Sequence, residues 1–123
     1  MTTNIGPTWT VLAEVRDERS RQDARWGQQD HPDGTGQYPE VTAAMAAVLA
    51  TEHAAEGGYL DWLHILREEV AEAFAETDPA ALRGELLQVA AVAVAWIEAI
   101  DRRSASRTPD SPCLDCGSDQ CDG

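Results

Sequence analysis

A short turn between two helical stretches places the strongest limit on how this chain can fold. The turn is Thr77-Asp78-Pro79, in which Asp78 suits a helix N-cap and Pro79 suits the first helical position. A connection of only about two residues makes neighbouring helices pack antiparallel. The sequence therefore predicts a helical hairpin centred on this turn.

Acidic and amide side chains lie on both sides of the turn. Glu69 and Glu72 precede it, and Glu85 and Gln88 follow it. Because a helix rises about 1.5 Å per residue, the two pairs lie at similar heights, on the order of 8 to 16 Å from the turn. Unpaired carboxylates are costly to gather between helices, so this spacing indicates a divalent metal. Mg²⁺ and Mn²⁺ both prefer oxygen ligands.

The periodicity of the helix after the turn directs Glu85 inward. At about 100° per residue, one stripe of this helix contains Leu82, Glu85, Val89, Val92 and Trp96. An acidic group on such an apolar face needs a partner, and Gln88 lies at the edge of the face. In the alternative interpretation Glu85 pairs with Arg67, and a solvated acidic face is formed by Glu68, Glu69, Glu72 and Glu76.

The composition favours a single all-α domain. The chain has 123 residues, is rich in Ala, and shows little of the alternation that is typical of strands. Gly and Pro residues separate four predicted helices, over residues 9–25, 41–56, 60–76 and 79–102, with Asp61 as a candidate N-cap. We thus predict a domain over residues 9–103, a flexible leader over 1–8 and a disordered tail over 104–123.

The charge and apolar runs exclude some classes of partner. A formal net charge of -13 argues against binding to a nucleic-acid backbone, which requires a basic surface. The N-terminal residues lack the pattern of a signal peptide. The longest apolar run, residues 86–97, is interrupted by Gln88 and is too short to span a bilayer. We expect a cytoplasmic protein that binds neither nucleic acid nor membrane.

The same apolar run predicts self-association. A helix that is apolar almost all round is buried at the centre of a fold or between subunits. We therefore expect a homodimer or homotetramer that is held together by the fourth helix.

The acidic motif resembles that of a known enzyme family. Glu69-x-x-Glu72, a spacer, and then Glu85-x-x-Gln88 is similar to the E-x-x-E, spacer, E-x-x-D signature of MazG-like nucleoside triphosphate pyrophosphohydrolases. Glu68 matches the doubled Glu that is common in that family. The segment Glu18-Arg19-x-Arg21-Gln22-Asp23-x-x-Trp26-Gly27, followed by His31-Pro32, is similar to a subgroup of short bacterial and phage members. The resemblance covers residues 16–101.

The resemblance implies a four-helix MazG-like bundle with an antiparallel metal-binding hairpin. It also implies hydrolysis of ordinary or aberrant (d)NTPs to the monophosphate and pyrophosphate, dependent on Mg²⁺ with Mn²⁺ as a substitute. The resemblance implies that Glu69, Glu72 and Glu85 are metal ligands and that Gln88 occupies the fourth ligand position. It also implies that Glu68 and Glu69 are catalytic. Glu68 would act either as a further ligand or as the base that orients water.

Gln88 departs from the family motif, since the usual residue is Asp. An amide oxygen binds hard cations but brings no negative charge. Weaker metal binding, a different number of metals and lost catalysis are all consistent with this change, and Glu68 is placed to compensate. The alternatives are a catalytically weakened nucleotide-binding or regulatory protein and a structural helical interaction protein.

The first helix and the loop after it supply candidate nucleotide contacts. These are Arg19, Gln22, Arg25, Trp26 and His31. The Arg residues suit phosphates or a base edge, and Trp26 suits stacking on a base. The alternatives are surface ion pairs for the Arg residues, a core position for Trp26, and a local capping role for His31.

Three cysteines near the C-terminus allow a second metal hypothesis. Cys113, Cys116 and Cys121 supply three zinc ligands if a fourth comes from elsewhere. Because no nearby His completes the set, we expect a tail with free thiols instead of a zinc site.

Overall fold

The computed structural model describes residues 6–105, which fold into four α-helices without any strand in that range. Helix α1 spans Gly6–Trp26, α2 spans Tyr38–Gly57, α3 spans Trp62–Ala75 and α4 spans Pro79–Ala105. The prediction of an all-α fold with four helices is confirmed. The three cysteines and the first five residues of the predicted leader lie outside the described residues.

Two helices begin earlier than the sequence predicts. Helix α1 includes Pro7 and α2 includes Pro39, each at the second helical position. The first turn of a helix has no intrahelical acceptors for its N–H groups, so proline fits there without losing a hydrogen bond. Prolines that we assigned to the leader and the loop are therefore part of the helix starts.

The predicted caps of α3 and α4 are confirmed. The Asp61 carboxylate accepts the His64 backbone N–H at 2.9 Å, and the Asp78 carboxylate accepts the Ala81 N–H at 2.9 Å. Each contact satisfies an otherwise unpaired N–H group and so stabilises the start of its helix. These caps define where the two acid-bearing helices begin.

The loop before α2 is held against the turn between α3 and α4. The Gly36 N–H donates to the Phe74 carbonyl at 2.8 Å, and Gly36 has a φ of 83°. A Cβ at this position would collide with the side chain of Thr77. Gly36 is thus required both by its backbone conformation and by the close approach of the turn.

The four helices pack in series. Helix α2 packs on α3, α3 on α4, and α4 on α1, and no other pair of helices within residues 6–105 is in contact. Trp62 stacks on Trp96 with ring centroids 6.1 Å apart, and the Thr8 hydroxyl donates to Glu98 at 2.8 Å. Helices α1 and α2 therefore lie at opposite ends of the series and do not enclose one common core.

This arrangement leaves a small core in a single copy of the chain. The buried apolar residues within the described range are Val11, Ala47, Ala54, Ala73, Leu82 and Val94. Many larger apolar side chains are exposed on all four helices. Exposed apolar surface of this extent is typical of regions that meet a protein, a membrane or a ligand.

Helix α4 is longer than the apolar run that the sequence analysis considered. Its 27 residues are long and apolar enough to cross a membrane, by length and composition alone. This is weak evidence, because the core or interface helix of a soluble protein meets the same criteria. The cytoplasmic location stays a prediction.

Candidate metal centre

Three glutamates of α3 form an acidic cluster. Carboxylate oxygens of Glu68, Glu69 and Glu72 all lie within 4.8 Å of one another. The i to i+4 spacing brings Glu68 and Glu72 onto the same side of the helix, next to Glu69. All three residues are half-buried. The cluster is therefore crowded with like charges and only partly hydrated.

Glu85 on α4 belongs to the same electrostatic group. Partial burial raises the pKa of Glu69, and the charges of Glu85 and Glu68 raise it further. Partial burial also raises the pKa of Glu72, followed by repulsion from Glu68, Glu69 and Glu85. Glu68, Glu69 and Glu72 thus form a close group on α3, and Glu85 on α4 acts on this group by its charge while lying outside it. We call these four residues together the carboxylate cluster.

The surroundings of Glu85 match its predicted place in an apolar stripe. Leu82, one turn earlier, is buried, while Val89 and Glu85 itself are half-buried. An acidic side chain held at the edge of apolar packing loses hydration, and a cation restores favourable interactions there.

Gln88 lies about one helical turn after Glu85 on α4. It is exposed and forms no hydrogen bond with the four glutamates in the part of the chain that the structure describes. Its place as the fourth metal ligand therefore stays a prediction.

No cationic side chain forms an ion pair with the carboxylate cluster within residues 6–105. Arg67 is exposed and borders a groove between α2 and α3, together with Glu40. The ion pairs in this range lie elsewhere and join Arg16 to Asp17, Arg21 to Glu18, and His64 to Asp61. The proposed pairing of Glu85 with Arg67 is thus absent here.

The donor set of the cluster fits a hard divalent cation. It offers carboxylate oxygens alone, without a Cys or His donor. Mg²⁺, Mn²⁺ and Ca²⁺ bind such sets, whereas structural zinc sites are dominated by thiolate and imidazole. Bound cations would neutralise the repulsion that raises the pKa of Glu69 and Glu72.

The predicted nucleotide contacts lie at the end of α1 and in the loop after it. Arg19 donates to Gln22 at 2.9 Å, and the Arg25 guanidinium lies 4.9 Å from the centre of the Trp26 ring. Trp26 is 57% exposed and lines a surface cavity with His31. Trp26 therefore does not close a core within residues 6–105.

These five residues have no direct polar link to the acidic site. No hydrogen bond or ion pair in residues 6–105 joins Arg19, Gln22, Arg25, Trp26 or His31 to the carboxylate cluster. His31 contacts Gln29 at 3.1 Å, which is a local interaction of the loop. Their role as nucleotide contacts stays a prediction.

The search for known relatives gives no family assignment. Comparison of the chain with protein-family models, with curated proteins and with solved structures finds no match. The MazG-like resemblance therefore stays a prediction that rests on the motif residues. The function must be argued from the geometry and charge of the carboxylate cluster.

One interaction was missed by the sequence analysis, which considered Asp61 only as a cap. The His64 imidazole Nδ1 lies 2.6 Å from the Asp61 carboxylate, and the Tyr59 ring meets the His64 ring edge-on. The pKa of Asp61 is lowered, first by the His64 backbone N–H and then by the His64 side chain. The i to i+3 spacing of a cap with a His at N3 was the available signal.

Proposed function

We propose that this protein is a Mg²⁺-dependent nucleoside triphosphate pyrophosphohydrolase. It converts ordinary or aberrant (d)NTPs to the monophosphate and pyrophosphate. The observation that carries this proposal is the close group of Glu68, Glu69 and Glu72, on which the charge of Glu85 also acts and to which no cationic side chain of residues 6–105 forms an ion pair. A half-buried site of this kind suits a polyanionic substrate only if metal ions accompany the substrate.

In this proposal α3 and α4 form an antiparallel hairpin of the MazG type. Trp62 near the start of α3 stacks on Trp96 in the second half of α4, and Glu69 is repelled by Glu85 in the first half of α4. Both contacts favour opposite helix directions. The short connection between Ala75 and Pro79 supports the same topology.

Glu69, Glu72 and Glu85 would hold the ion, which neutralises phosphate charge and acidifies a bound water. Glu68, whose carboxylate lies within 4.8 Å of those of Glu69 and Glu72, would orient the attacking water and accept its proton. The water attacks the α-phosphorus, and pyrophosphate leaves. Mn²⁺ would substitute for Mg²⁺ because both prefer oxygen ligands.

The nucleotide end of the substrate would contact α1 and its following loop. Exposed Arg19 and Arg25 suit phosphate oxygens, and the exposed ring of Trp26 suits a base. Gln22 and His31 would supply further hydrogen bonds.

The presence of Gln at position 88, where the family motif has Asp, favours a second candidate function. Gln88 replaces the acidic residue of the family motif and is exposed. A site with fewer negative charges binds metal less tightly. The second candidate is therefore a nucleotide-binding regulatory protein of the same fold with weak or no hydrolysis.

The deciding experiment is an assay of pyrophosphate release from a panel of NTPs and dNTPs with Mg²⁺ or Mn²⁺. We expect release from the wild type and at least about a hundredfold loss in Glu69→Gln and Glu85→Gln. Glu52→Gln on the exposed side of α2 is the matched control and should retain activity.

Two results would overturn the enzymatic proposal. Nucleotide binding without pyrophosphate release would select the regulatory function. The absence of both nucleotide and metal binding would leave a structural helical interaction protein.

A further inference from the structure

The loop between α1 and α2, residues 27–37, lies near the turn that joins α3 to α4. The end of the loop next to α2 is held there by the hydrogen bond from the Gly36 N–H to the Phe74 carbonyl, which is 2.8 Å long. A Cβ at Gly36 would meet the side chain of Thr77, which belongs to the turn itself. One end of the loop is therefore fixed close to the turn.

The other end of the loop reaches the same region through α1. Thr8 donates to Glu98, and the groove that α1 shares with α4 extends from Glu98 back to Leu87. Helix α1 therefore runs back along α4 toward the start of α4. Trp26 follows Thr8 by 18 residues, and Pro79 precedes Glu98 by 19. This register sets the end of α1 level with the start of α4.

The carboxylate cluster begins close to this end of α3 and α4. Glu72 lies three residues before the last residue of α3, and Glu85 lies six residues after the first residue of α4. These separations correspond to about 5 and 9 Å along the helix axes. A nucleotide spans such a distance from its phosphates to its base. Along the helix axes, the loop is therefore within reach of a substrate whose phosphates lie at the carboxylate cluster.

A surface cavity with a volume of about 420 Å³ opens at the start of this loop. It is lined by Trp26, Gln28, Gln29, Asp30 and His31. A volume in this range suits a small ligand. The exposed Trp26 ring offers a surface for stacking, and a purine gives the larger ring system to stack there. We call this space the loop cavity.

Hydrogen bonds inside the loop determine which polar groups are left for a ligand. Gln28 Nε2 donates to Asp30 Oδ2 at 3.0 Å, and Gln29 Oε1 lies 3.1 Å from His31 Nε2. Each carboxylate oxygen has two lone pairs, so Asp30 keeps acceptor capacity on both oxygens. The Gln29 amide keeps its two N–H donors among the contacts of residues 6–105. The loop cavity therefore presents a carboxylate acceptor and an amide donor beside an aromatic ring.

We propose that the loop cavity is a base subsite that selects guanine, an assignment that rests on the proposed function for the phosphate end of the substrate. Guanine carries two neighbouring donors, N1–H and N2–H, next to the acceptor O6. The Asp30 carboxylate accepts both N–H groups, and the Gln29 amide donates to O6. Trp26 stacks on the base.

The other bases do not match this pattern of donors and acceptors. In adenine and cytosine the ring nitrogen on the corresponding edge is an acceptor, which the Asp30 carboxylate repels. Uracil and thymine present a single N–H between two carbonyl oxygens. A polar site rejects a ligand that leaves its groups unpaired or opposes like charges, so Asp30 is the residue that determines specificity.

The test is equilibrium dialysis of the full chain against GMP, AMP, CMP and UMP in EDTA, under which neither a metal nor hydrolysis is required. We expect GMP to bind at least about tenfold more tightly than the other three. The ratio is modest for a polar site because the loop cavity is open to water.

Asp30→Asn should exchange guanine for xanthine. Xanthine has an oxygen at position 2 in place of the amino group of guanine, and the new amide of Asn donates to that oxygen. We expect GMP binding to weaken at least about tenfold and xanthosine monophosphate to bind more tightly than GMP. Asp33→Asn is the matched control, because it makes the same change of charge in the same loop but outside the cavity lining. It should keep the preference for GMP.

Two binding results would overturn the guanine subsite. The first is equal binding of the four monophosphates by the wild type. The second is an Asp30→Asn variant that loses all nucleotides alike without gaining xanthosine monophosphate, which would give Asp30 a merely structural role.

Hydrolysis separates this proposal from the enzymatic one. Pyrophosphate release at equal kcat/KM from GTP, ATP, CTP and UTP would keep the enzyme and remove the guanine subsite. Guanine-selective binding without any pyrophosphate release would support the subsite and remove the enzyme.

Discussion

Glu69 on α3 has a raised pKa because it is partly buried and because Glu85 on α4 repels it across the helix pair. The two residues are separated in sequence by the turn at Thr77–Pro79, and the packing of the helices makes them neighbours. An interaction of like charges weakens the fold when no cation is present. Repulsion of this kind between partly buried carboxylates is frequent at functional sites, which makes the pair a candidate for one.

The stability of the metal-free protein should fall as the pH rises through the acidic range. Glu69 and Glu72 have pKa values above the ordinary 4.5 in the folded state, so the folded state binds their protons more tightly than the unfolded state does. Their favourable contribution is complete below pH 4.5 and is lost as the pH rises through the folded values. Thermal unfolding in EDTA from pH 4 to 8 measures this change.

The control for this prediction is the double variant Glu69→Gln/Glu72→Gln, which should show a weaker fall than the wild type. Asp61, with its lowered pKa, acts in the opposite direction and is retained in both proteins. An equal pH dependence in the two proteins would contradict the assignment.

Replacing Glu85 by Gln should stabilise the metal-free protein and abolish the change in stability that Mg²⁺ causes. Glu85→Gln keeps the shape of the side chain while removing the charge that acts on Glu69 and Glu72. After allowance for solvent screening we expect a gain on the order of 0.5 kcal/mol without metal. Urea unfolding with and without Mg²⁺ measures both effects, and Glu52→Gln should change neither. A Mg²⁺ response that survives in Glu85→Gln would remove Glu85 from the site.

A negative charge at position 88 should strengthen metal binding. Gln88→Asp restores the acidic residue of the motif at an exposed position beside Glu85. We expect the Mg²⁺ dissociation constant to fall several-fold, which corresponds to a gain in binding free energy of roughly 1 kcal/mol. The gain is modest because water screens the added charge. Titration calorimetry measures it, with Gln88→Asn as the shorter neutral control. No gain in affinity would show that position 88 lies outside the reach of the ion.

Local signals in the sequence predict the helix starts but not the way the helices pack. Asp61 and Asp78 identify the starts of α3 and α4 correctly, because a cap depends on residues only three positions apart. The inward position of Glu85 also follows from the period of one helix.

The exposed position of Gln88 could not be deduced in the same way. It depends on the angle at which α4 meets α3, and contacts between residues that are distant in sequence determine this angle. The serial packing, in which α4 is the one described helix that α1 contacts, has the same origin. Helical periodicity indicates which face of a helix is apolar without indicating which other helix covers that face.

The close contact between Gly36 and Thr77 predicts a large effect of a single methyl group. Gly36→Ala adds a Cβ that would collide with the Thr77 side chain, at a positive φ that disfavours any Cβ. Gly34 also has a positive φ, of 72°, but has open space around its Cβ position. We expect Gly34→Ala to cost about 1 kcal/mol from backbone strain and Gly36→Ala to cost on the order of 2 to 3 kcal/mol.

Urea unfolding of the two variants measures the difference in their free energies of unfolding. The backbone strain is similar in both variants, but only Gly36→Ala adds a contact with Thr77. The double variant Gly36→Ala/Thr77→Gly should recover part of the loss, since it removes the Thr77 side chain that the new Cβ meets. Equal losses in Gly34→Ala and Gly36→Ala would show that the loop moves away from the turn at little cost. The loop would then not be held against the end of the helix pair that carries the carboxylate cluster.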